Sequence, residues 1–369
     1  MHIFSSKKGD YSGYMVTSFP VRHRRKMPFY PMLSLDLEIR NAIRDIHAMD
    51  SELGGFLLSG KDYYDLVLDA YASNTHWSTK IEGNRMTFDE VRTLATEFTS
   101  GNAPESPNGP TQEILNHLGF LFRDELDVPW TVETTLYVHE YLMRGVGDIE
   151  PGVIHDRDVS VRGSDGTEFF IACPASSVSE ELTSLVDWAN TSPFGDIVTA
   201  TLFFHEFESI HPFLDGNGRT GRVLFQALLR QLGLDNCNLC KFEEKMLSDA
   251  TTYYNLMSYT DLTGNYTPLV RYVVESLRDA YAEAVVSFSG KDLLRGMDLN
   301  TRFVASKARE AGMFTIGEAC QWMPLGEART RRILEGLVDA GVLVKEGRTR
   351  SMRYVFMDPF EGVRTSDPM

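Results

Sequence analysis

The run His211-Pro212-Phe213-Leu214-Asp215-Gly216-Asn217-Gly218-Arg219-Thr220-Gly221-Arg222 restricts this chain more than any other stretch. Apolar helical periodicity leads into it over 197–208 and resumes over 218–232, so the run must form the turn between two apolar helices. Gly216 and Gly218 permit φ > 0, which lets successive backbone N–H groups point into one concavity. That concavity lies at the N-terminus of the second helix, a place suited to a phosphate. Arg219 and Arg222 stand three apart on the first turn and can face the same anion. Asp215, beside such a cradle, is a natural Mg²⁺ ligand. His211 is the side chain here whose proton affinity suits a general base near neutrality. Phe213 reads as the anchor of the loop in the core.

The rest of the 369-residue chain is long enough for two or three domains. Hydrophobic residues at 43% and charged residues at 24% fit an ordinary soluble globular protein. No stretch is long and apolar enough for a membrane span, and the N-terminus shows no signal-peptide core. The basic run Arg22-His23-Arg24-Arg25-Lys26 reads as a solvated loop between prolines. Cys173, Cys237, Cys240 and Cys320 are too few for a disulfide scaffold, and the lone C-x-x-C at 237–240 lacks a second ligand pair. Four reduced thiols in a cytoplasmic protein are expected. The net charge of −16 argues against nucleic acid as the partner of the whole molecule. Residues 301–369 differ, with eleven Lys and Arg against nine Asp and Glu; that +2 leaves −18 for residues 1–300.

Periodicity predicts helices over 35–57, 62–82, 88–99, 111–123, 131–143, 177–190, 197–208, 218–232, 243–259 and 266–288. Ser177 and Glu180 are spaced as a capping box for the sixth of these. The polar, Pro- and Gly-rich 100–110 marks a loop or domain edge. Within 158–172 two extended segments flank Gly163-Ser164-Asp165-Gly166, a hairpin signal inside a helical region. After Gly290 the pattern changes: helices over 299–311, 314–321 and 327–340, then short strands over 342–344 and 354–356 around a basic turn at 345–353. That order resembles a winged helix-turn-helix. The expected fold is therefore mainly α: a helical bundle with one β-hairpin, plus a small α+β domain. The boundaries expected are a helical region over 1–110, a catalytic core over 111–290, a winged helix-turn-helix over 296–358 and a tail over 359–369.

Residues 211–222 match, at every specified position, the Fic-family signature His-x-Phe-x-Asp/Glu-Gly-Asn-Gly-Arg-x-x-Arg. The resemblance extends over about residues 30–285. It implies a Fic-type bundle and transfer of AMP from ATP to a Ser, Thr or Tyr hydroxyl of a protein. Carried over by position, His211 deprotonates the attacking hydroxyl and Asp215 holds Mg²⁺ (or Mn²⁺). Gly216, Asn217 and Gly218 cradle phosphate oxygens, and Arg219 and Arg222 bind the β/γ end of the leaving pyrophosphate. Relatives that act as kinases carry Lys where this chain has Gly218, which favours AMP transfer. The hairpin resembles the family's flap, in which Asp158, Val159, Ser160, Val161 and Arg162 would dock the target's backbone. Tyr254 falls where relatives contact adenine; Asp261 stands where an Asn is common, which weakens that assignment.

Ser78-Thr79-Lys80-Ile81-Glu82-Gly83-Asn84 resembles the family's inhibitory motif, Ser/Thr-x-x-x-Glu-Gly/Asn. Ser78 and Glu82 are i, i+4 on one helix face, and Gly83 is a plausible stop at C′. Glu82 then falls in the last helical turn, where the dipole disfavours a carboxylate. By the resemblance Glu82 pairs with Arg222 and occupies the place of the γ-phosphate, holding the enzyme off.

The C-terminal segment offers Arg329, Arg331, Arg332, Arg348, Arg350 and Arg353, interrupted by Glu327, Glu335 and Glu346. A +2 balance is weak for tracking phosphates, so protein docking ranks ahead of DNA. The leading expectation is an autoinhibited protein adenylyltransferase using ATP and Mg²⁺ on a protein target, itself included, with a homodimer compatible. The alternatives are a DNA-binding regulator whose Fic domain senses ATP, and a Fic enzyme that uses another nucleotide or removes AMP.

Overall fold

A computed structural model describes residues 11–16, 19–24, 29–56, 58, 60–123, 130–162, 166–323, 326–347 and 352–357. The chain divides into two compact units, Met1–Asp50 with Ala70–Ala282 and Ser51–Asp69 with Glu283–Met369. Residues 1–50 and 70–110, expected as a region of their own, thus belong with 111–282; residues 51–69 do not.

In order the chain runs β1 (Val21–Arg22), α1 (Leu37–Gly55), α2 (Gly60–Lys80), α3 (Phe88–Thr99), α4 (Gly109–Arg123), α5 (Val132–Met143), β2 (Ser160–Arg162) and β3 (Glu168–Ile171). It continues through α6 (Ala175–Thr191), α7 (Asp196–Ile210), α8 (Asn217–Gln231), α9 (Phe242–Leu247), α10 (Ala250–Thr263) and α11 (Thr267–Ser289). The core of the first unit centres on α7, which is buried on all sides from Ile197 through Phe207. A helix apolar all round has to be enclosed by others; α6 and α8 lie against it, and α5 packs on α8. Four small corrections have local causes. The helix expected from Ser177 begins at Ala175, because Asp158 Oδ1 accepts the Ala175 N–H (2.9 Å) and Ser177 serves no cap. The single helix expected over 243–259 breaks into α9 and α10, where Asp249 caps the second by accepting the Thr252 N–H (3.0 Å). Val21 and Arg22, expected in a loop, form β1 and pair in parallel with β3. Helix α2 stops at Lys80, so Glu82 lies in the turn beyond it rather than in its last turn.

The β1-β3-β2 sheet leaves β2 as an edge strand, antiparallel to β3 with a register shift between Val161 and Arg162. Three of the turn residues expected between β2 and β3, 163–165, lie outside the described residues.

The second unit holds α12 (Leu299–Ala311), β4 (Met313–Phe314), α13 (Ile316–Trp322), α14 (Glu327–Asp339), β5 (Leu343–Glu346) and β6 (Arg353–Phe356). Its core gathers Val304, Ala308, Phe314, Leu334, Leu337 and Tyr354. Phe314, expected in a helix, is instead in β4, and the sheet has three strands in the order β4-β6-β5 rather than two. Thr315 explains the later helix start: it and Glu318 form a capping box. Arg329, Arg331, Arg332 and Arg353 are exposed. Arg348, Arg350 and the tail at 359–369 lie outside the described residues. Exposure does not leave all the charge uncompensated, since Arg331 pairs with Glu327 (2.7 Å) and Lys345 with Glu335 (2.5 Å). No helix among the described residues is long and apolar enough to cross a membrane. All four cysteines are free.

Candidate active site

His211 ends α7 in the left-handed region (φ 55°), the only non-glycine with positive φ among the described residues. A non-glycine held there stores strain that the surroundings must enforce. Here the His211 N–H donates to Phe207 O (2.9 Å), and Phe213 is fully buried two residues on. Asn217 locks the loop from inside: its Oδ1 accepts the Phe213 N–H (2.9 Å) and its Nδ2 donates to Phe213 O (2.8 Å). Its side chain is therefore spent on the loop, and only its backbone N–H is left for an anion at the start of α8. Gly216 takes φ 81° at the N-cap of α8, as the turn demands.

The histidine has a defined tautomer. Its Nδ1 lies 3.2 Å from Glu208 O, and a carbonyl only accepts, so Nδ1 carries the proton and Nε2 keeps its lone pair. Burial pushes its pKa below the ordinary 6.5, against the opposing pull of Glu208 O and of Glu82. The group is thus a neutral base at physiological pH.

Arg222 is 2% exposed and points at the turn after α2. Its Nη2 donates to Glu82 Oε1 (2.7 Å) and Ser78 O (2.7 Å), and its Nε to Ser78 Oγ (2.9 Å). Ser78, Glu82 and Arg222 therefore meet in one cluster. Gly83 adopts φ 102°, and the Asn84 N–H donates back to Thr79 O, which folds the turn so that Glu82 faces α8. The carboxylate disfavoured at the end of α2 is compensated at the beginning of α8, where the dipole and Arg222 attract it. A Cβ on Gly218 would run into Glu82 Oε1 and come within 2.8 Å of Arg222 Nη1. Any larger residue at 218 would have to displace the Glu82 carboxylate or the Arg222 guanidinium.

Arg219 has other company. Its Nη1 donates to Glu113 Oε1 (2.5 Å) and its Nη2 to Asp215 Oδ1 (2.8 Å). Asp215 Oδ1 also accepts the Gly216 N–H (2.6 Å), while the side chain as a whole is half-exposed. A cavity of about 680 Å³ lies alongside, lined by Glu82, Gly83, Glu113, Gly147, Asp215 and Arg219. A hard carboxylate oxygen on such a cavity fits Mg²⁺.

Of the flap residues, Asp158 holds α6 and Val159 O accepts the Ala172 N–H (3.2 Å), so both are committed to the fold. Ser160, Val161 and Arg162 form β2, where Arg162 pairs with Glu168 (3.3 Å). Tyr254 is half-exposed beside buried Tyr253 and within electrostatic reach of Glu82 and Arg222. Asp261 is buried and accepts from Ser209 Oγ (2.7 Å), a core role.

Three residues escaped the sequence reading. Glu113, on α4, bridges the two motifs: Oε1 takes Arg219 and Oε2 takes Asn84 Nδ2 (2.7 Å). His139 stacks on Phe213 with ring centroids 3.6 Å apart. Its Nδ1 accepts the Gly152 N–H (2.8 Å), so Nε2 donates to Asp215 O (2.9 Å); burial pushes its pKa to about 4. Glu208 lies under Gly221, partly buried near Arg222, and burial raises its pKa to about 8 despite that arginine. Only a spacing signal in the sequence could have marked them, and none of the three has one.

Comparison with known proteins is consistent with this geometry. Residues 129–229 match the profile described as Fic/DOC family. A protein adenylyltransferase of Caenorhabditis briggsae is 27% identical over 286 residues, 73% of this chain and 52% of that one. A probable protein adenylyltransferase of Aquifex aeolicus is 34% identical over 102 residues, 27% of this chain and 30% of that one. The chain spans about half, or less, of the length of these relatives. The crystal structure of a Fic family protein from Desulfovibrio desulfuricans shares the fold, with a TM-score of 0.59 at 24% identity over 89% of this chain and 98% of that one.

Proposed function

We propose that this chain, whose residues 129–229 match the Fic/DOC family, transfers AMP from ATP to a protein hydroxyl and rests in an autoinhibited state. The observation that carries the reading is the pairing of Arg222 with Glu82 at the N-terminus of α8. A carboxylate there holds the ground a terminal phosphate would need.

In this reading the target hydroxyl gives its proton to His211 Nε2 as its oxygen attacks the α-phosphorus. The bond from that phosphorus to the bridging oxygen breaks, and pyrophosphate leaves toward Arg222. Asp215 would hold Mg²⁺, which supplies charge neutralisation for the phosphates. The backbone N–H groups of Gly216, Asn217 and Gly218 would receive phosphate oxygens at the helix N-terminus. Arg219 is better described as a brace for this loop than as a free pyrophosphate ligand, because Glu113 and Asp215 already match its charge. Edge strand β2 offers backbone groups for pairing with an extended target, and half-exposed Tyr254 a face for adenine. For the second unit we favour protein docking over DNA, since its exposed Arg331 and Lys345 have acidic partners.

The test is incubation of the Glu82→Gly protein with radiolabelled ATP, alone and with cell extract, beside Glu82→Gly/His211→Ala. Label on protein that requires His211 is the expected result. A salt-sensitive DNA shift with no label would instead favour a nucleotide-sensing regulator.

A further inference from the structure

Away from the catalytic turn, the first unit brings together three side chains with metal-binding chemistry. His23 follows β1, Cys173 follows β3, and Glu181 sits on α6. One donor atom of each lies within 4.8 Å of the other two. The cluster is enclosed: the His23 and Glu181 side chains are 2% and 4% exposed, and Cys173 is buried.

The hydrogen bonds around His23 fix where its proton is. Ser209 Oγ donates to Asp261 Oδ1 (2.7 Å), which uses the only proton the hydroxyl has. Ser209 Oγ must therefore accept from His23 Nδ1–H across 3.0 Å. In a neutral imidazole Nε2 then keeps its lone pair, aimed at Glu181 Oε2 3.2 Å away. Two acceptors then face each other in a buried place unless a proton or a metal ion lies between them. A second proton on the imidazole would satisfy that pair and leave the Cys173 thiol on Pro174 O (3.7 Å). A metal ion uses all three groups.

We propose that His23, Cys173 and Glu181 bind a divalent ion of the zinc class. Nitrogen, sulfur and oxygen donors together suit Zn²⁺, whereas Mg²⁺ and Ca²⁺ take oxygen. The 3.2 Å between Nε2 and Oε2 is close to the roughly 3.3 Å expected between two ligands of a tetrahedral ion with bonds of about 2.0–2.1 Å. The His23–Ser209–Asp261 relay is the kind of outer support that sets the tautomer of a ligating histidine. The ion would fasten the N-terminal strand to the base of the hairpin and to α6. It would also reach the catalytic turn through one bond, since the Cys173 N–H donates to Ile210 O (3.3 Å), next to His211.

The experiment is Co²⁺ titration of the full chain after stripping with chelator, followed by displacement with Zn²⁺. The wild type should develop thiolate-to-Co²⁺ charge-transfer absorption and tetrahedral visible bands that saturate at about one equivalent. The charge-transfer band should vanish in Cys173→Ser and persist in Cys320→Ser, and His23→Gln should weaken binding by roughly 10–100-fold or more. Should Cys173→Ser fail to fold, elemental analysis of the wild type before stripping and the His23→Gln titration decide. A wild type that retains no zinc and shows no thiolate band, or a band unchanged in Cys173→Ser or in His23→Gln, overturns the proposal.

Discussion

Arg219 and Arg222 leave the same turn of α8 three residues apart, both nearly buried, yet their charges are balanced by different parts of the molecule. Arg219 is held by Asp215 of its own loop and by Glu113 of α4, whose side chain is 10% exposed. Arg222 is held by Ser78 and by Glu82, whose side chain is 28% exposed on the turn after α2. Both carboxylates line the same cavity, but Glu113 is the more buried of the two and is fixed on a helix. A carboxylate on a glycine-containing turn at the rim of a cavity can leave when a better anion arrives. In the function proposed above, the difference separates a brace from a brake, although the sequence offers two arginines of one motif.

The largest expected effect comes from removing the brake. Glu82→Gly frees Arg222 for phosphate; with one partner of a buried ion pair worth about 3–5 kcal/mol, AMP incorporation should rise roughly 10²–10³-fold. Quantitative labelling with ATP measures it, and unchanged incorporation would falsify the brake.

The matching change on the other arginine should do something else. Glu113→Ala leaves Arg219 with Asp215 alone and Asn84 without its carboxylate. Stability should fall by about 3 kcal/mol in urea unfolding, with labelling raised no more than a few-fold. If Glu113→Ala activates as strongly as Glu82→Gly, the distinction between brace and brake collapses.

The sequence made one side of this comparison much easier to read than the other. Residues 211–222 were legible because glycines, a histidine and charges at fixed offsets sit in one short run, and local spacing fixes a helix N-terminus. The Ser78, Glu82 and Arg222 contact was anticipated only through resemblance, since no local rule ties residues some 140 positions apart. Glu113, His139 and Glu208 were not legible at all. Each sits in an ordinary helix, and its task depends on which helix lies opposite. The helices themselves were read well from period and burial, whereas their ends moved wherever a distant side chain supplied the cap, as Asp158 does for α6. Strand β1 was missed because a two-residue strand has no period, and its partner β3 lies far along the chain.

Ser78→Ala sharpens the comparison from within the brake. Arg222 would lose the Oγ that accepts from Nε but keep Ser78 O and Glu82. A hydrogen bond to a charged group contributes about 1.5–3 kcal/mol when lost outright. With two of three contacts retained the resting state should loosen only partly. Activation of roughly three- to tenfold is expected, well below that of Glu82→Gly.

The smallest effect is one of pH, and it reads the brake through the base. Burial lowers the His211 pKa below 6.5, and the charge of Glu82 is among the influences that raise it again. The base works only when neutral, so kcat/KM should stay level down to pH 6.5 and fall below it as the imidazole takes up a proton. Glu82→Gln removes the raising charge, whereas Ser78→Ala keeps it. The acid limb of Glu82→Gln should therefore lie at lower pH than that of Ser78→Ala, with both below 6.5. Profiles of kcat/KM for the two variants under identical salt test this. Coincident limbs would mean that Glu82 no longer sits within reach of His211 in the working enzyme. A limb at or above 6.5 would mean that His211 is not the group whose proton the profile follows.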